Sequence, residues 1–127
     1  MMTEEKRKEL KEFALRKQAE LEELIKSKEE GVTTDSGIYA IFTPKYKTYI
    51  GQAQNIQIRW AAHLNLLNKQ AHYNGKLQRA WKQGLKIVVL ETCAPEDLDK
   101  REHWCIKYYR TRINGLNVRR GVKPKKN

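Results

Sequence analysis

Residues 37–51 read GIYAIFTPKYKTYIG, and the fold follows from how this stretch divides. Gly37-Ile-Tyr-Ala-Ile-Phe42 is β-branched and aromatic with turn residues beyond it, so it reads as a buried strand. Thr43-Pro-Lys-Tyr46 supplies the turn, and Lys47 to Gly51 is the returning strand. Tyr39 and Tyr49 lie almost equally far from the turn, so antiparallel pairing sets them near each other across the hairpin. Their hydroxyls then share a site if both side chains project to the same face. Gly37 and Gly51 suit places where backbones approach closely within the sheet. Taken alone, such a hairpin is also an ordinary structural unit, because most tyrosines pack and satisfy their hydroxyls.

Asn55 suits the N-cap of a helix from Ile56 to about Asn68. Trp60, Leu64 and Leu67 are expected as its inward stripe, with Arg59 and His63 one turn apart on a neighbouring stripe. Asn74 to Gln83 reads as a short helix carrying Leu77, Ala80 and Trp81 and ended by Gly84. Lys86-Ile-Val-Val-Leu-Glu-Thr92 is a third strand, expected at the centre of the sheet. Pro95, Glu96 and Asp97 open a helix to about Tyr109, since proline suits a first helical position and carboxylates suit the positive end of the helix dipole. Its apolar face holds Leu98, Cys105, Ile106 and Tyr109, with Glu102 in the middle. A carboxylate there is expensive to bury unless a cation or metal meets it. Upstream, Thr3 to about Lys28 is a mixed-charge helix with Leu10, Phe13, Leu21, Leu24 and Ile25 at near-helical spacing, closed by Gly31. It is expected to pack on the domain or on a second copy.

The fold class is therefore α/β: a small, mainly antiparallel three-stranded sheet flanked by helices, with an added N-terminal helix. Residues 1–31 form the helical extension, 32–118 the domain and 119–127 a basic tail. A chain of 127 residues suits one core and one site. Net charge is +11, and because residues 1–31 hold eight Lys/Arg against nine Asp/Glu, the excess falls on the domain and tail. Such a surplus attracts polyanions, nucleic acid first among them. No segment is apolar over a bilayer-spanning length, and the N-terminus lacks a signal peptide's apolar core, so a cytoplasmic protein without a membrane partner is expected. Cys93 and Cys105 read as reduced, packed thiols. A zinc site with His103 lacks paired ligand spacing and a clear fourth ligand.

GIYAIF, TYIG, Arg59 with His63 four residues on, Glu102 and Asn117 together resemble the GIY-YIG nucleases over roughly residues 36–118. The resemblance implies a DNA endonuclease that hydrolyses phosphodiester bonds with Mg²⁺ or Mn²⁺. It implies Glu102 as the metal ligand and Arg59 as stabiliser of the transition state, a task its bidentate, permanently charged guanidinium suits. Tyr39 is implied as general base, acidified by the arginine and metal, with Tyr49 and His63 positioning water or relaying its proton. Asn117 would hold the glutamate or a metal-coordinated water. Gly51, Gln52, Lys45 and Lys47, with Arg119 and Arg120 of the tail, are expected against the DNA backbone. His72, His103 and Trp104 match no motif position and are read as surface or core.

Two other functions remain open from the residues. One is a catalytically inactive nucleic-acid-binding module, which would have no need for Glu102 in an apolar stripe. The other is a partner-dependent nuclease subunit docked through the N-terminal helix, a helix that equally could form a homodimer and so pair two sites for a double-strand break. A small phage-type or stand-alone enzyme fits best, acting in the host cytoplasm if phage-encoded. No reader of base edges is identifiable, so the DNA sequence recognised is not legible.

Overall fold

The computed structural model describes residues 1–43 and 47–117, with the side chains of 47, 113 and 114 left aside. Lys45 in the hairpin turn and Arg119 and Arg120 in the tail lie outside the described residues, as does the basic tail itself.

The chain begins with helix α1, Glu4–Lys26, capped at its start by Thr3, whose hydroxyl accepts from the Lys6 N–H. It ends earlier than its composition suggests. Ser27 caps it, donating its hydroxyl to the Leu24 carbonyl at 2.6 Å, and Gly31 turns the chain afterwards with its N–H on the Ile87 carbonyl. Strands β1, Gly37–Thr43, and β2, Lys47–Ala53, form the expected hairpin. Helix α2, Ile56–Asn68, is capped by Asn55, whose side-chain oxygen accepts the Ile58 N–H. Helix α3, Gly75–Ala80, passes into a 3₁₀ turn at Trp81–Gln83 before strand β3, Lys86–Thr92. Pro95–Asp97 is a 3₁₀ turn leading into α4, Leu98–Tyr109, and the short α5, Thr111–Asn114, follows.

The sheet is antiparallel throughout, in the order β2-β1-β3. β1 and not β3 is therefore the central strand, which corrects the sequence expectation. The reason is burial on both faces: β1 carries no charged residue and is buried almost throughout, whereas β3 begins at half-buried Lys86 and ends at half-buried Glu91 and exposed Thr92. Charged strand ends are tolerated at an edge, where water reaches them.

Alternation along β1 splits the core into two layers. Ile38 and Ala40 meet Leu21 and Ile25 of α1 and Leu98, Cys105 and Ile106 of α4. Tyr39 and Ile41 face the other way, toward Ile56 and Leu67 of α2, Leu77 and Ala80 of α3, and Leu116. The C-terminal half of α1 thus packs on its own domain, while Leu10 and Leu15 nearer its start are exposed. The buried stripe of α2 is Ile56, His63 and Leu67, with Trp60 packed beside it. His63 therefore lies on the inward stripe, not on a neighbouring one, and Leu64 is only half-buried.

Candidate active site

The two tyrosines of the hairpin meet on the α2 face. Tyr39 pairs with Gly51 and Tyr49 with Ile41, so the rings are diagonal neighbours on one face with centroids 6.4 Å apart. Tyr39 is 1% exposed. Its ring lies across Gly51: a Cβ there would overlap the Tyr39 hydroxyl and stand 2.5 Å from Cζ. Gly37 is constrained likewise, since a Cβ would overlap the Glu91 carbonyl of β3. Gly51 is thus a seat for Tyr39, buried beneath it.

The Tyr39 hydroxyl is 2.6 Å from His63 Nε2. His63 Nδ1 is in turn 2.7 Å from His72 Nε2, and His72 Nδ1 accepts the Asn74 backbone N–H at 3.0 Å. That last donor fixes every proton upstream. With Nδ1 accepting, neutral His72 carries its hydrogen on Nε2 and donates to His63 Nδ1, and His63 then donates from Nε2 to the Tyr39 oxygen. Burial, assisted by His72 and Arg59, pushes the His63 pKa down to about 3, and burial likewise lowers that of His72, so both rings are neutral at pH 7.

Arg59 reaches the tyrosines from one turn before His63. Its charge favours the ionised form of Tyr39, and it donates from Nη2 to the Tyr73 hydroxyl at 3.0 Å. The Tyr73 hydroxyl also lies 3.2 Å from that of Tyr49. Burial opposes the charge on Arg59, but its contacts with Tyr39, Tyr73 and Tyr49 outweigh it and raise its pKa. Burial raises the pKa of Tyr39; Arg59 pulls the other way, and Tyr73 and the Glu102 carboxylate add to the rise. Tyr49 is raised too, by burial first and then by Tyr39, Tyr73 and Glu102. The expected acidification of Tyr39 is therefore not a property of the resting site, because desolvation exceeds the help that Arg59 gives.

Glu102 is 9% exposed on α4 and approaches from the opposite side of β2. Gln52, on the α4 face of that strand, donates its amide to Asp99 at 2.8 Å and to Glu102 at 3.4 Å. Gln52, half-buried, is thus engaged by two carboxylates. Asn117 is held elsewhere than on the carboxylate. Its side-chain oxygen accepts the Ile50 N–H and its amide donates to the Ile50 carbonyl, both at 2.9 Å, so it closes the outer edge of β2 as a strand residue would. Among the described residues no group of three or more His, Cys, Asp and Glu could hold a metal. Glu102 and Asp99, which both accept from the Gln52 amide, are carboxylates of the kind a hard cation takes, with water and phosphate filling the rest of its shell.

The family model of the GIY-YIG catalytic domain matches residues 35–117, a span that holds all of these side chains. The chain belongs to the GIY-YIG family. It is 37% identical over 89 residues to Intron-associated endonuclease 1 of Enterobacteria phage T4, an alignment covering 65% of this chain and 36% of that protein. It thus spans about a third of that relative's length. The catalytic domain of homing endonuclease I-TevI superposes with a TM-score of 0.61 at 31% identity, covering 67% of this chain and 99% of that one. A mutant of the same catalytic domain gives 0.62 at 29%, covering 68% and 96%.

In this GIY-YIG domain, β1 carries GIY and β2 carries YIG, and α2 brings Arg59 and His63 to them. His72 and Tyr73 complete the cluster, although the sequence reading set His72 aside and did not single out Tyr73. Both lie in the loop before α3, where no periodicity marks an inward side, and the available signal was their place beside Asn74, a capping residue two positions from His72. No helix among the described residues is long and apolar enough to cross a membrane.

Proposed function

We propose that this protein is a DNA endonuclease that hydrolyses phosphodiester bonds with Mg²⁺ or Mn²⁺ held at Glu102. The observation that carries the reading is the convergence of Tyr39, Tyr49, Arg59 and His63 on one face of the GIY-YIG hairpin, with a buried carboxylate across β2. A merely structural hairpin does not need a buried phenol seated on glycine and met by both an arginine and an imidazole N–H.

Arg59 presents permanently charged N–H groups to the phosphate oxygens on which charge grows. Tyr39 takes the proton of the attacking water as its phenolate. The His63 N–H donates to that oxygen, and the positive charge of Arg59 favours its ionised form. The water oxygen bonds to phosphorus as the bond to the departing alkoxide breaks. Tyr49, kept neutral by burial, orients groups at the mouth of the site. The cation, when bound, supplies neutralisation of the phosphate and stabilises the leaving oxygen. The basic domain gathers DNA through its phosphates, so binding should weaken with salt.

The test is supercoiled plasmid with Mg²⁺, Mn²⁺ or EDTA, for the parent and Glu102→Ala. Cation-dependent conversion to open-circular or linear DNA, lost in the variant while DNA binding stays, is expected. DNA binding without cleavage under either cation would refute the endonuclease and leave a binding module.

A further inference from the structure

Tyr73 is a large aromatic that the core does not use, being 56% exposed. Its hydroxyl is nevertheless held at two points, by the Arg59 Nη2 donor at 3.0 Å and by the Tyr49 hydroxyl at 3.2 Å. Its ring lies on the His72 imidazole, centroids 4.4 Å apart and 27° from parallel. His72 itself is fixed by the Asn74 N–H and by His63. The phenol is therefore a post with a rigid base, standing at the open side of the site.

Arg59 needs such a post. It projects from an exposed position of α2 on a long chain whose many rotamers would otherwise leave the guanidinium unplaced. We propose that Tyr73 is a positioning residue that sets the Arg59 guanidinium for the scissile phosphate through its hydroxyl. This rests on the endonuclease reading above. A purely structural Tyr73 would act by its ring, covering His72, and its oxygen would not matter.

Tyr73→Phe separates the two, because it keeps the stacked ring and removes the hydroxyl. Single-turnover cleavage at saturating DNA should slow about tenfold with the DNA Kd and Tm unchanged, since misorientation of a charged donor acts on the reacting state more than on binding. In an Arg59→Lys background the same substitution should change the rate by less than about twofold, the non-additivity expected of residues that act as a unit. Tyr73→Phe at the parental rate would overturn the proposal, as would an equal loss in both backgrounds. A parent protein that does not cleave fails the endonuclease reading and carries the proposal with it. A parent that cleaves no faster than Tyr73→Phe fails the proposal alone.

Discussion

Gly51→Ala adds a single methyl group and should disable the site. The new Cβ would overlap the Tyr39 hydroxyl and stand 2.5 Å from Cζ and 3.0 Å from Cε2. Ordinary contact begins near 3.4 Å, so the ring must move by about 1 Å. Tyr39 has little room to do so, being 1% exposed and held by His63 at 2.6 Å. Overpacking of this kind costs about 1–3 kcal/mol of stability. A reacting group displaced by about 1 Å costs on the order of a hundredfold in rate. The assay is single-turnover cleavage with Mg²⁺, alongside urea unfolding to confirm that the variant is folded at the assay temperature. Adding Tyr39→Phe to Gly51→Ala should recover part of the lost stability, because the hydroxyl is the atom nearest the new methyl. A folded Gly51→Ala protein that cleaves at the parental rate would refute the seating of Tyr39 on Gly51 as a condition of activity.

Three further outcomes follow from the same geometry. Cleavage should rise about tenfold per unit between pH 7 and 9, because Tyr39 accepts a proton only as phenolate and burial raises its pKa above the ordinary tyrosine value; a flat profile over that window would remove Tyr39 as the base. Stability should fall below pH 6.5 by about 1.4 kcal/mol per unit on account of His63, because the unfolded chain binds a proton there that the folded one excludes down to about pH 3. Urea unfolding at several acidic pH values should show a slope shallower by one proton in His63→Gln, and an unchanged slope would contradict the neutral, buried ring. Asn117→Ala strips the Ile50 N–H and carbonyl of their partners and should lower stability by about 2–4 kcal/mol. A shift in the unfolding midpoint worth less than about 0.5 kcal/mol would mean that water replaces the clamp at no cost.

The elements were legible wherever local chemistry marks them. Asn55 and Asn74 cap the helices that their positions suggested, and Glu102 sits in the apolar face read for α4. Strand order was not legible, because an apolar run identifies a strand without saying which neighbours it has; the charged ends of β3 were the only hint that it lies at an edge. His63 faces inward on α2 although its polarity argues for a neighbouring stripe. Residues 56, 60, 63 and 67 follow the helical period as well as the all-apolar set does, and the imidazole is admitted to the interior by partners on both ring nitrogens. The Asn117 clamp joins residues far apart in sequence, and an amide that imitates a strand leaves no local pattern.

The direction of the hydrogen-bond chain bears on why two buried histidines, with no carboxylate partner among the described residues, stand beside a tyrosine. The Asn74 backbone N–H is a donor that cannot become an acceptor, and each neutral imidazole carries one hydrogen, so the order from Asn74 to His72 to His63 to Tyr39 has only one polarity. For Tyr39 to give its proton to His63, that ring would have to hold two hydrogens, and burial holds its pKa down to about 3. The histidines consequently serve as donors to the phenol oxygen and not as bases toward it. Replacing His72 by a residue without a donor would free His63 to adopt its other tautomer, with Nε2 as acceptor, and Tyr39 would change from acceptor to donor without any movement of its ring. A loop residue one layer behind the tyrosine thereby sets the state in which Tyr39 meets water.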